Sequence, residues 1–96
     1  MKLYHIAHKK DLPSIKRKGL IGVLDYILVD SGDIDKKGVN LVSDVDEYPF
    51  PLTNKNVILE INSNRLNKRK LIHVGDWWWR YQGNIPLIAI VSIDLP

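Results

Sequence analysis

Residues 57–63, "VILEINS", carry the plainest pattern in the chain. Val57, Leu59 and Ile61 alternate with Ile58 and Glu60, the two-residue period of a strand with distinct faces. The same reading gives short strands at residues 2–6 (KLYHI), 39–44 (VNLVSD) and 70–74 (KLIHV). Residues 85–94, "IPLIAIVSID", are apolar almost throughout and predict a buried strand with Pro86 near its start. Residues 22–30, "GVLDYILVD", fit a short helix as well as a strand, since their periodicity favours neither. Between these lie a polar loop (31–38, SGDIDKKG), a loop in which Pro49 and Pro51 exclude a central strand (44–56), and a basic turn or short helix (64–70, NRLNKRK). The form of 75–84, "GDWWWRYQGN", is left open by its pattern.

One helix stands out, over residues 11–18 within "KKDLPSIKRKGL". Asp11 suits an N-cap, and Pro13 is tolerated in a first turn, where its missing N–H is not needed. Leu12 and Ile15 share a face at i, i+3. Lys16, Arg17 and Lys18 suit the negative end of the helix dipole, and Gly19 is placed to close it in the left-handed αL conformation. The whole predicts an α+β fold: residues 1–96 as one small, strand-rich domain with one or two short helices.

Composition adds limits. The chain has 96 residues and no cysteine, so neither disulfides nor thiolate zinc can staple its small core. No apolar run approaches the roughly 18 residues of a membrane span, and the opening "MKLYHIAHKK" lacks the pattern of a secretory signal. A soluble, cytoplasmic protein without a membrane partner is the expectation. Net charge is +3, but it is unevenly spread. Residues 1–20 hold six Lys/Arg against Asp11, residues 25–47 hold seven acidic groups against Lys36 and Lys37, and residues 55–80 hold six basic groups against Glu60 and Asp76. If the two basic ends meet in space, they make a face that attracts phosphate or nucleic acid; an ordinarily solvated surface is the plainer reading.

Two features bear on chemistry. His5 and His8 are three residues apart and His73 is distant, with no cysteine or acidic cluster at ligand spacing, so no metal site is expected. There is no nucleophile elbow and no glycine-rich phosphate loop. The second feature is Trp77, Trp78 and Trp79. In a strand the first and third share a face and the middle one takes the other. At least one is expected to fill the core, but three adjacent indoles can hardly all be buried. The remainder offer a stacking surface for a base, a partner protein or a second copy of the chain, helped by Arg80 and Tyr81. Arg17, on the basic end of the helix, joins the candidate partner surface.

"YHIAHKKDLPSIKRKGL", residues 4–20, resembles the N-terminal signature of the ADP-ribosyltransferase superfamily. It is most similar to the toxins that attach ADP-ribose to single-stranded DNA. Their opening runs Tyr or Phe, His, any residue, Thr, then an Asp/Asn-Leu-Pro-Ser-Ile helix and a Gly-Leu stop. Fragments further on keep the family's order: "GVNLVSD" with the acidic "DVDEYP", then "VILEINSNRL", then "RYQGNIPLIAI". The resemblance implies a split antiparallel sheet and a site for NAD or an ADP-ribose-like nucleotide, with no metal. It implies that His5 bonds the nicotinamide-side ribose and that backbone groups at Ile6 clasp the nicotinamide amide. Tyr81 or a tryptophan would supply the aromatic that stacks on nicotinamide, with Arg80 beside it. Ala7 stands where the family has Thr or Ser, so one hydroxyl contact is missing. The family's late catalytic glutamate is replaced: Gln82 falls at about that place, and Glu60 is the only glutamate after residue 47. Removing such a group commonly costs about 10²–10³ in rate.

The expectation is therefore a degenerate, non-catalytic binder of a nucleotide, of single-stranded nucleic acid or of a host protein. Small basic inhibitors from phages and mobile elements fit this description by fold-level association. The alternative is a minimal NAD-dependent ADP-ribosyltransferase that modifies nucleic acid or protein. A plain α+β domain with a satisfied histidine and no NAD is the third reading.

Overall fold

The computed structural model describes residues 2–23 and 37–94. They form six strands, β1 (Lys2–His8), β2 (Gly38–Val42), β3 (Asn56–Asn62), β4 (Leu71–His73), β5 (Trp78–Gln82) and β6 (Ile90–Asp94), and one α-helix, α1 (Leu12–Lys18). The strands make a single sheet in the order β4-β5-β2-β1-β3-β6, antiparallel throughout. Single 3₁₀ turns fill several connections, at Lys9–Asp11, Val45–Glu47, Ser63–Arg65, Lys68–Lys70 and Leu87–Ala89.

Strand alternation sorts the side chains. Leu3 and Ala7 of β1, Val39 and Leu41 of β2, Val57, Leu59 and Ile61 of β3, and Tyr81 of β5 turn to one side. There they meet Ile15 of α1 together with Leu20, Leu66, Ile85 and Ala89, all buried. Each such aliphatic side chain contributes roughly 1.5–3 kcal/mol on burial. The expected strand at 57–63 thus appears with its odd-numbered members inside, and "GDWWWRYQGN" resolves into β5.

Three expectations need correction. Asp11 does not cap α1: its backbone is already helical (φ −89°, ψ −9°) and its carboxylate makes no capping bond. An N-cap side chain reaches the first free N–H groups from an extended backbone, and here the 3₁₀ turn runs directly into the helix. Gly19 closes the helix with positive φ, as expected, but at φ 77° and ψ −160°, outside the αL region. Its N–H donates to the Ile15 carbonyl at 2.8 Å, and a Cβ there would stand 2.3 Å from the Ile85 oxygen, so only glycine fits. The late apolar run is not one buried strand. Leu87–Ala89 form a 3₁₀ turn, and β6 is the sheet's edge, with Val91 56% and Ile93 37% exposed. An apolar run does not tell the centre of a sheet from its margin.

Of "GVLDYILVD", Val23 forms an isolated antiparallel bridge with Gly38. Residues 24–30, and most of the polar loop after them, lie outside the described residues.

Candidate functional site

β1 has two unlike neighbours. With β3 it pairs at every residue from Lys2 to His8; with β2 the ladder registers at Tyr4↔Val42. One residue further along β1, a side chain takes over the hydrogen bonding. His5 Nδ1 lies 2.7 Å from the Asn40 carbonyl oxygen. A carbonyl only accepts, so Nδ1 carries the hydrogen and donates, and Nε2 keeps the lone pair. Burial holds the imidazole pKa below its usual 6.5, partly offset by this bond, so the ring is neutral at neutral pH.

Asn40 is the centre of the arrangement. It pairs with Arg80 across β2 and β5. Its side-chain oxygen accepts from Arg80 Nη1 at 2.9 Å and from Trp78 Nε1 at 3.3 Å. Arg80 is 1% exposed, and its Nη2 donates to the Val23 carbonyl. A buried guanidinium is tolerated only when such acceptors replace water. Asn40 therefore ties β1, β2 and β5 together just where the β1–β2 ladder ends.

Beside this network opens a cleft of about 310 Å³. Tyr4, Ile6 and Val42 line it from β1 and β2, together with His5 and Asn40. Trp77 and Trp78 line it at the start of β5, and Tyr48, Pro49 and Phe50 of the β2–β3 connection complete it. The Trp77 and Trp78 carbonyls are held by backbone bonds from Ser43, Val74 and Gly75 at 2.9–3.0 Å. Tyr48 and Phe50 meet edge to face, with ring centroids 5.7 Å apart. The lining is mainly aromatic and apolar, with His5 and Asn40 as its polar residues beside the tyrosine hydroxyls and indole N–H groups, which suits a flat heteroaromatic ring. Stacking on such surfaces contributes about 1–3 kcal/mol per base. No carboxylate is among the described lining residues.

The candidates named from the sequence divide accordingly. His5, Ile6, Trp77 and Trp78 meet in the cleft. Arg80 stands behind it, reaching it through Asn40. Tyr81 is turned to the core, 6% exposed, and its hydroxyl accepts from the Asn67 N–H at 3.2 Å, so it is not positioned to stack on a ligand in the cleft. Trp79 also faces the core side and stacks on His73, centroids 4.2 Å apart and 12° from parallel. Gln82 pairs with Gly38 on Arg80's face of β5, outside the cleft lining. Glu60 is also outside it, 3.6 Å from the Lys2 ammonium. Arg17 bonds back to the Pro13 carbonyl of its own helix at 3.3 Å, apart from the tryptophans.

Sequence reasoning missed Asn40 and the Tyr48–Phe50 wall. A signal existed for each. Asparagine is depleted from strands, yet Asn40 interrupts "GVNLV", and "YPFP" sets two aromatic rings among prolines of restricted φ. Among the described residues no cluster of three or more His, Cys, Asp or Glu side chains could hold a metal ion, and no helix is long and apolar enough to cross a membrane.

The fold and cleft define an antiparallel α+β domain with an aromatic cleft at an interrupted strand seam. No family model, curated protein or solved structure matches the chain.

Proposed function

We propose that this is an ADP-ribosyltransferase-like domain, its single sheet interrupted at the β1–β2 seam, that binds a nucleotide without turning it over. The cleft at the β1–β2 seam takes the nicotinamide ring of NAD or the ring of a related nucleotide. The observation that carries the reading is His5: neutral, bonded to Asn40, and lining an aromatic cleft at the end of the β1–β2 ladder. Its volume lies at the lower end of the about 300–1,000 Å³ usual for ligand sites, room for one ring with its sugar rather than a whole dinucleotide. Binding without turnover follows from the lining, which offers hydrogen bonds and stacking but no described carboxylate to stabilise a positive sugar.

Thermal shift and tryptophan fluorescence with NAD, ADP-ribose and nicotinamide mononucleotide test this. A ligand at about 100 times its Kd adds roughly 2.7 kcal/mol, a rise of many degrees for a domain of this size. Quenching of Trp77 and Trp78 accompanies it, and His5→Ala or Trp78→Ala weakens both signals. NAD consumption is undetectable in the unmodified protein. Absence of any shift or quenching removes the nucleotide reading. Robust NAD turnover by the unmodified protein replaces it with a minimal ADP-ribosyltransferase.

A further inference from the structure

A second cavity, of about 510 Å³, lies at the end of β1, lined by His8, Lys9, Lys10, Asn54 and Lys55. Two backbone segments hold it in shape. The Lys9 N–H donates to the Lys55 carbonyl at 2.8 Å, which ties the 3₁₀ turn after β1 to the turn before β3. That second turn is braced by Thr53 N–H to Asn56 Oδ1 at 3.0 Å and by Lys55 N–H to Thr53 Oγ1 at 3.2 Å. Three lysines thus line one hollow on a braced backbone, and among the described residues none of them pairs with a carboxylate. Like charges gathered without counter-charges repel, and an anion relieves that repulsion.

The hollow lies further along β1 than the cleft. Ile6 lines the cleft and His8 lines the hollow, two residues apart and therefore on the same face of the strand. Their spacing is about 6.8 Å of extended chain, on the order of the reach from a base across its sugar to its phosphate.

We infer that His8, Lys9, Lys10, Asn54 and Lys55 form a phosphate subsite for the ligand whose ring occupies the aromatic cleft. The occupant is then a phosphorylated nucleotide, free or within a single strand, and not a nucleoside. This rests on the reading of the cleft as a ring-binding site. Lysine supplies point charges without a fixed fork, which suits a phosphate approached from several directions.

The test titrates the intact protein by tryptophan quenching with nicotinamide riboside and its mononucleotide, with adenosine and AMP, and with a short oligothymidylate. The phosphorylated compounds bind about tenfold more tightly than their nucleosides, the gain that two lysine contacts of modest strength supply. The Lys9→Gln/Lys55→Gln double variant loses that gain and keeps the nucleoside affinity; both side chains are exposed, and an unchanged melting temperature verifies the fold. Equal affinity for nucleoside and nucleotide, or a gain that survives the double variant, overturns the subsite and leaves the cleft reading intact. Failure of every ring-bearing compound to quench overturns the cleft reading, and the subsite with it. The two sources of phosphate separate by salt. For a strand, the log–log slope of affinity against salt falls by about 0.7 for each lysine removed. A slope no steeper for oligothymidylate than for AMP assigns the hollow to a free nucleotide.

Discussion

The two sides of β1 solve the same problem in opposite ways. Toward β3, all seven residues from Lys2 to His8 stand in register, and alternation delivers Leu3 and Ala7 to the core beside Ile61 and Val57. Toward β2, the register holds at Tyr4↔Val42, and the bonds near its end are made by side chains: His5 to the Asn40 carbonyl, Arg80 and Trp78 to the Asn40 amide. The continuous side is backbone pairing over a dry apolar face. The interrupted side is a polar network with a cleft beside it. A continuous ladder leaves no room for a ligand between strands, whereas an interrupted one needs side chains to satisfy the backbone, and those side chains can also meet a guest.

Breaking the continuous side has the largest effects. Gly19 lets α1 end against Ile85 and so close the core over β3. Gly19→Val adds backbone strain and a collision with the Ile85 carbonyl, together about 2–6 kcal/mol. That is a large part of the 5–15 kcal/mol typical of a domain, and denaturant unfolding reads it. Leu59→Ala follows at about 2–5 kcal/mol, since Leu59 is fully buried. Ligand affinity measured on the remaining folded fraction stays the same.

Changes on the interrupted side cost less stability and more binding. Asn40→Ala removes the acceptor of Arg80 Nη1 and Trp78 Nε1. It costs about 1–3 kcal/mol for the buried guanidinium donor, with little added for the exposed indole contact, and the quenching response weakens. Unchanged stability in Asn40→Ala would show that this network does not hold the seam.

His5 makes the interrupted side sensitive to pH. Its folded-state pKa is below 6.5 because burial disfavours the imidazolium. The unfolded chain therefore binds the proton first. The stability that comes from keeping His5 neutral is fully present above about pH 6.5, declines as pH falls below that, and is lost once pH passes through the folded pKa. Melting temperatures across this window drop on acidification, and the drop is smaller in His5→Gln. An unchanged slope in that variant would place the titrating group elsewhere.

The smallest expected effect comes from Glu60, on the continuous side but turned away from the core. Lys2 in its ion pair is mostly exposed, so Glu60→Gln changes stability by less than about 1 kcal/mol. Ligand binding is unaffected, because Glu60 is outside the cleft.

Local periodicity and local sterics were legible without a structure. The alternation of Val57, Leu59 and Ile61 marked both a strand and its buried face, and the Gly19 stop after a basic turn marked the end of the helix. Those signals are written in neighbouring residues and need no distant partner. Asp11 shows the limit even locally, because capping depends on how the chain enters the helix. The order of the strands, the exposure of β6 and the division of the tryptophans were decided only by tertiary structure. Alternation sends Trp78 and Trp79 to opposite faces, and Trp79 meets the core because α1 packs on that side of the sheet, a fact of long-range packing. Asn40 is the clearest case. An asparagine in "GVNLV" is unusual for a strand, but its role emerges only when β2 stands between His5 and Arg80, residues separated from it by 35 and 40 positions. Hydrogen-bond satisfaction is a property of the assembled sheet, and no short window of sequence contains both partners.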